Sequence, residues 1–326
     1  MTDEQLFQNR TDLSALQHAV LELRKEIAKI IVGQNQMVDL MLAGLLSNGH
    51  ILIEGVPGVA KTLTAKLLAR CVDIPFSRIQ FTPDLMPSDV LGTSVFNPRN
   101  AEFEFRPGPI FSSMVLIDEI NRSPAKTQSS LFEVMEERQV TVDGRTHLMQ
   151  MPFMVVATQN PIEHEGTYRL PEAQLDRFLF KINVPYPTLA DEVNILMLND
   201  KQVQAQQIDG IRKILSGNDI MQLQAQIRNI HVEEKLMHYI ASLVQETRNS
   251  RSVFLGASPR ASLAVMAASK AIAGMQGRDF VTPDDIIYVV PAVLRHRIML
   301  TPEKEMEGIS TDEVIHGLIQ SIEIPR

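Results

Sequence analysis

Ile51-Leu52-Ile53-Glu54-Gly55-Val56-Pro57-Gly58-Val59-Ala60-Lys61-Thr62, continued by Leu63 and a helical pattern to Arg70, is the stretch on which the reading of this chain turns. Three apolar residues and a Glu make a short strand. The loop after it is rich in Gly and ends on Lys-Thr, and a helix follows. Strand, Gly-rich loop, Lys-Thr and helix form the layout of a phosphate-binding loop. Glycines let successive backbone N–H groups converge on phosphate oxygens, and the positive end of the helix dipole favours an anion there. Lys61 is expected at the β and γ phosphates and the Thr62 hydroxyl at a Mg²⁺ ion. The strict pattern has Gly immediately before the Lys, where this chain has Ala60. A methyl is small and Ala takes helical angles, so the loop is still expected to close.

About 60 residues further on, Met114-Val115-Leu116-Ile117-Asp118-Glu119 is an apolar strand that ends in two carboxylates. Ligands of parallel sheets bind at the carboxyl ends of strands. Asp118 is placed to hold the metal's water shell, and Glu119 to orient or deprotonate an attacking water.

The same rhythm extends outward. From about Thr11 to Pro187, helical and strand patterns alternate. Leu16, Val20, Leu23, Ile27 and Ile30 recur at helical spacing in the first helix. The strand-length runs are Ile51–Ile53, Ile79–Phe81, Met114–Ile117, Phe153–Ala157 and Leu179–Ile182. Most read as buried on both faces, as strands of a parallel sheet are. Ser123-Pro124 reads as a cap followed by the first residue of a helix carrying Leu131, Val134 and Met135. The fold class is therefore α/β, with a parallel five-stranded sheet. After Pro185-Tyr186-Pro187 the strands stop. Thr188 caps a helix with Asp191 and Glu192 in its first turn, and Ser258-Pro259 and Thr282-Pro283-Asp284-Asp285 repeat the cap-then-proline signal. The expected division is 1–187 for the α/β core and 188–326 for an all-helical C-terminal domain.

Composition narrows the function classes. The chain has 326 residues, 44% hydrophobic and 21% charged, which excludes disordered and collagen-like classes. A single cysteine, Cys71, excludes an intramolecular disulfide framework. The net charge of −8 argues against bulk attraction to nucleic acid. No signal peptide is read behind Met1-Thr2-Asp3-Glu4, and no apolar run approaches the roughly 18 residues of a membrane span. A soluble cytoplasmic protein is expected. The eight histidines show no metal-ligand spacing; His231 and His238 could share a helix face but lack other ligands. The 16 methionines scatter as core filler, and Gln202 to Gln207 is too short for a low-complexity tract.

Taken together, these motifs resemble the AAA+ ATPases, and within them the MoxR family of the helix-2-insert clade, from about Ile31 to Leu300. The resemblance implies an AAA+ P-loop core and lid that bind ATP with Mg²⁺ at Gly55, Val56, Pro57, Gly58, Val59, Ala60, Lys61, Thr62 and Leu63, the metal held by Thr62 and Asp118. Ile31-Val32-Gly33-Gln34 looks like the segment that packs on adenine, Ile31 and Val32 supplying an apolar wall. Asn160, in Ala157-Thr158-Gln159-Asn160-Pro161, matches sensor 1, an amide between water and γ-phosphate. Arg177, in Leu170-Pro171-Glu172-Ala173-Gln174-Leu175-Asp176-Arg177-Phe178, matches the arginine finger that enters a neighbouring subunit's site; such fingers raise phosphoryl-transfer rates by about 10³–10⁵. The alternative is a partner for Asp176 or Glu172, and Arg169 is a second candidate. Arg260, after Ser258-Pro259, matches sensor 2, by which the lid reports on the phosphates of its own subunit.

Phe81 to Asp89 and Phe103 to Phe111 also belong to this family's pattern. Between them Gly92 to Arg106 looks like the helix-2 insert, and 137–151, around Asp143-Gly144, like the hairpin before sensor 1. Arg295-His296-Arg297 reads as a solvated helix face. The resemblance further implies a homo-oligomer, a hexameric ring, protein clients and a partner bearing a von Willebrand factor A domain. The rival readings are a nucleic-acid-stimulated motor, a nucleotide-gated scaffold with little turnover, and a magnesium-chelatase-like motor subunit.

Overall fold

A computed structural model describes residues 12–160, 168, 170–201 and 210–325. Arg169, Pro161 and the Gln-rich 202–207 stretch lie outside the described residues. The strands, in chain order, are β1 (His50–Gly55), β2 (Phe76–Gln80), β3 (Gly92–Asn97), β4 (Glu102–Pro107), β5 (Met114–Asp118), β6 (Gln139–Val142), β7 (Arg145–Leu148), β8 (Met154–Gln159) and β9 (Phe178–Val184). Five of them form one parallel sheet in the order β2-β5-β8-β1-β9. Strict alternation sends their side chains into two apolar clusters, one on each face. Met114, Leu116, Met154 and Val156 enter one; Val115, Ile117, Val155 and Ala157 enter the other. The apolar runs are continuous because helices cover both faces.

Two antiparallel hairpins leave this layered body. β3 pairs with β4, and β6 with β7. Asp143 and Gly144 in the second turn both take positive φ, as a two-residue turn matched to strand twist demands. The helix after β5 spans Ala125–Glu137 and starts one residue later than the sequence suggests. Its first N–H groups, on Thr127 and Gln128, donate to the Pro124 carbonyl, so Pro124 is the cap and Ser123 lies outside. Ile30 likewise falls beyond the first helix, Ser14–Ala28, which buries Leu16, Val20, Leu23 and Ile27.

Past Val184 the described chain turns helical, beginning with Leu189–Lys201. Thr188 and Asp191 cap that helix reciprocally, as Thr282 and Asp285 cap Pro283–Leu294. This part is not all-helical: β10 (Val253–Leu255) pairs antiparallel with β11 (Met299–Leu300). It also shares one apolar cluster with the N-terminal helices, running from Leu16 and Leu45 through Ile227, Val265 and Ile319. The Gln224 amide donates to Leu45 O at 2.7 Å, and Arg212 grips buried Glu26. Among the described residues no helix is long and apolar enough to cross a membrane.

Arg295-His296-Arg297 departs most from expectation, because it is not a solvated face. Arg295 donates to Lys181 O at 3.1 Å, and His296 Nε2 to Phe178 O at 2.9 Å. Arg297 donates to Leu179 O at 3.2 Å and Phe178 O at 2.6 Å. β9 is an edge of the sheet. The carbonyls on its open side need donors, and these three side chains supply them.

Candidate nucleotide site

The loop between β1 and the Lys61–Cys71 helix forms the floor of a cleft of about 420 Å³, within the range of ligand clefts. Gly58 has φ +88°, and a Cβ there would meet nothing within 4 Å, so the inner side of the loop is open. Ala60 does not take helical angles. It sits in the left-handed region, at φ 62° and ψ 20°, which is why glycine is the default residue at this turn. The Thr64 hydroxyl and Thr64 N–H both donate to Ala60 O at 2.9 Å and brace the turn. The Lys61 ammonium lies back across the loop on the Gly55 carbonyl.

Opposite the loop stands the carboxylate pair. Buried Asp118 accepts from the Thr158 hydroxyl at 3.1 Å and from the Thr62 hydroxyl at 3.4 Å on one oxygen, and from Arg78 Nε at 2.6 Å on the other. Glu119 is also left-handed, with φ 57°, and its N–H donates to the Thr158 hydroxyl at 3.1 Å. Its carboxylate accepts from the Gln80 amide at 2.7 Å and pairs with Arg122 at 3.3 Å. Asn160, at the end of β8, lines the same cleft. The structure thus brings Lys61, Thr62, Asp118, Glu119 and Asn160 together.

Three polar residues of this cleft escape sequence reasoning. Thr158 joins both carboxylate positions through one hydroxyl, and Arg78 and Gln80 reach them from the neighbouring strand. Gln80 sits opposite Asp118 in the β2–β5 register. A polar residue inside the Ile79-Gln80-Phe81 run was the available signal.

Ile31 and Val32 line a second, smaller cleft beside the phosphate loop. A narrow cleft of about 140 Å³ beside Gly58, Val59 and Leu63 is lined by Ile31, Val32, Pro187, Ile195 and Leu198. The last two come from the Leu189–Lys201 helix, so this cleft lies between the sheet domain and the first lid helix. Gly33, at φ +74°, lets the two meet; a Cβ there would stand 2.6 Å from the Asp191 carboxyl.

Arg177 and Arg260 are elsewhere. Arg177 precedes β9, and Phe178 pairs with His50, the first residue of β1; the phosphate loop leaves the other end, where Gly55 pairs with Val184. At about 3.3 Å per residue, the intervening strand separates the two by roughly 15–20 Å. Arg177 pairs with Glu136 at 2.8 Å and donates to Phe132 O, rather than pairing with Asp176 or Glu172. Arg260 approaches the same Glu136 at 3.9 Å. Arg260, expected at its own subunit's phosphates, does not line the phosphate-loop cleft. The lid packs on the N-terminal helices, and Arg260 stands beside Arg177, at the opposite end of the strands from the phosphate loop.

The donor set fits Mg²⁺ with a triphosphate. One hydroxyl and one carboxylate oxygen supply the hard ligands this ion selects. The Arg78 guanidinium on Asp118 shows that this carboxylate accepts a cation.

Comparison with known proteins agrees with this geometry. The family described as "ATPase family associated with various cellular activities (AAA)" matches residues 50–180, and the AAA lid domain matches residues 245–318. Chaperone MoxR1 of Mycobacterium tuberculosis is 48% identical over 324 residues, covering 96% of this chain and 84% of that one. The uncharacterized protein YeaC of Bacillus subtilis is 47% identical over 301 residues, covering 92% and 93%. The crystal structure of a proposed ATPase from Cytophaga hutchinsonii superimposes with a TM-score of 0.88 at 41% identity, covering 96% and 97%. With a phosphate loop facing an Asp-Glu strand end, a lid packed behind them and relatives alike over nearly their whole length, the chain belongs to the MoxR family of AAA+ ATPases.

Proposed function

We propose that this chain is an ATP-hydrolysing motor that assembles as a ring and remodels client proteins in the manner of a chaperone. One observation carries the reading: the Asp118 carboxylate reaches the Thr62 hydroxyl and, through Thr158, is tied to Glu119 in the same cleft. In this reading Lys61 and the loop N–H groups hold the phosphates, and Thr62 and Asp118 hold the metal. The Mg²⁺ ion, when bound, neutralises charge on the phosphate oxygens. Glu119 takes a proton from the attacking water once Gln80 and Arg122 release it, and Asn160 orients that water. Ile31 and Val32 cover the base.

Arg177 and Arg260 act on the neighbouring subunit's nucleotide, since strand length keeps them from their own. A guanidinium pair delivered in trans needs a head-to-tail contact, and such contacts form a ring where the rotation between neighbours closes. Six subunits, protein clients and a von Willebrand factor A partner are carried over from the family resemblance, as is the chaperone role from the name of the mycobacterial relative.

The test is Glu119→Gln, read by ATP binding and phosphate release together. The variant is expected to keep ATP affinity and to lose turnover by about 10²–10⁴-fold, the usual share of a general base. Turnover at the wild-type rate would remove Glu119 from this role.

A further inference from the structure

We infer that Arg297 is a positioning residue for Arg177, locking the lid to the turn that aims the finger. The inference deepens the reading of Arg177 as a trans-acting finger and rests on it. Arg297 comes just after the Pro283–Leu294 helix, and its side chain is only 4% exposed. Its Nε donates to the Asp176 carboxylate at 2.7 Å, and its other nitrogens donate to the carbonyls of Asp176, Phe178 and Leu179 at 3.1, 2.6 and 3.2 Å. These residues flank Arg177 on both sides. The backbone that carries the finger is therefore nailed down before and after it by one guanidinium.

Burying a charge is a poor way to gain stability, since apolar residues of similar volume often serve as well. A planar fork with five donors does something apolar packing does not: it fixes position and rotation together. The lid also supplies Arg260, which meets Arg177 at Glu136. On the far side, Lys181 of β9 pairs with Glu54 at 2.9 Å, immediately before the phosphate loop. Arg177 is thus held in register with the lid, at the start of a strand whose far end pairs with Gly55 of the subunit's own phosphate loop.

The test uses the full chain and mixed assemblies. Arg297→Lys keeps the charge and loses the fork. It is expected to lower kcat of the homo-oligomer by about 10-fold or more, since misplacing a catalytic group by 1 Å can cost about 10²-fold. ATP affinity should stay within about threefold on that reasoning, because the variant's own phosphate loop is intact. Mixing with Lys61→Ala subunits, which cannot hydrolyse but carry an intact finger, should raise activity above the average of the two homo-oligomers. Arg177→Ala mixed with Lys61→Ala is the parallel control.

If Arg297→Lys keeps wild-type kcat, the inference is overturned. It is overturned equally if Arg177→Ala is rescued by the mixture and Arg297→Lys is not, since the defect then lies in cis. If the Arg177→Ala mixture itself shows no rescue, the finger reading fails and takes this inference with it. Should Arg297→Lys not assemble, isosteric Asp176→Asn carries the same measurements. Failure of both to assemble would make the contact a folding element and end the proposal.

Discussion

Two buried histidines make the stability of this protein fall in mild acid, and the size of the fall can be worked out. His50, at the start of β1, accepts from Val155 N–H through Nδ1 and donates from Nε2 to Met135 O, each at 3.0 Å. Burial, with Arg138 nearby, pushes it down to about 3, against the hydrogen bond to Met135. Burial, with Arg297 beside it, also pushes His296 well below the ordinary value. Both stay neutral in the fold, while the unfolded chain takes up protons near pH 6.5. Their stabilising contribution is complete above that pH and erodes as pH falls toward the folded values. Between pH 7.5 and 5 the linkage for His50, with a folded value of about 3, is about 2 kcal/mol, and His296 adds to it in the same direction. That is a large share of a typical stability of about 5–15 kcal/mol. Glu26 does not interfere. Burial raises it, but hydrogen bonds from Lys29 and Arg212 outweigh this and hold it at about 2, so its contribution is lost only below the ordinary carboxylate range. Urea unfolding at fixed protein concentration and ionic strength, at pH 7.5, 6.5 and 5, measures the fall. His50→Gln keeps a donor and an acceptor and should remove about 2 kcal/mol of the dependence. A loss under about 1 kcal/mol across that range, or the same slope in the variant, would refute the reasoning.

Further outcomes follow from the cleft. Ala60→Gly removes a left-handed strain of about 1–2 kcal/mol and adds about 0.5–1 kcal/mol of chain entropy, so stability should rise by no more than about 1.5 kcal/mol and nucleotide affinity should hold. Ala60→Val, β-branched at positive φ, should weaken ATP binding by about 10-fold or more in calorimetry. Arg78→Ala frees Asp118 from a competing cation in a partly exposed pair worth up to about 1 kcal/mol. The Mg²⁺ concentration for half-maximal nucleotide binding should fall by up to about fivefold. Gly33→Ala would drive a Cβ into the Asp191 carboxyl, and should cost about 1–3 kcal/mol in thermal unfolding and loosen nucleotide binding.

What the sequence disclosed was whatever is written in contiguous residues. The strand–loop–Lys61-Thr62–helix run and the Met114–Glu119 strand carry their chemistry in local order and period, and the five apolar runs gave the sheet. Thr158, Arg78 and Gln80 stayed hidden because they meet Asp118 and Glu119 only through the register of β2, β5 and β8, which no local pattern states. Arg295-His296-Arg297 was misread because charged residues usually face water; only the open edge of β9 explains their burial. Arg260 matched a motif, but a motif does not say on which side of the molecule its helix begins. Ala60 took the backbone angles of the glycine it replaces, a constraint imposed by the loop and not by its own preference.

For the proposed motor, the shared apolar cluster limits how the lid can move. Gly274 lies so close to Leu16 and Ile230 that an added Cβ would stand 3.2 and 3.0 Å from them, and Gln224 and Arg212 stitch the same seam. Swinging the lid away as a hinged flap would split a continuous core and strand those polar groups. In the proposed ring, a work stroke that keeps each protomer as one rigid body, and tilts whole protomers against one another, leaves that core undisturbed.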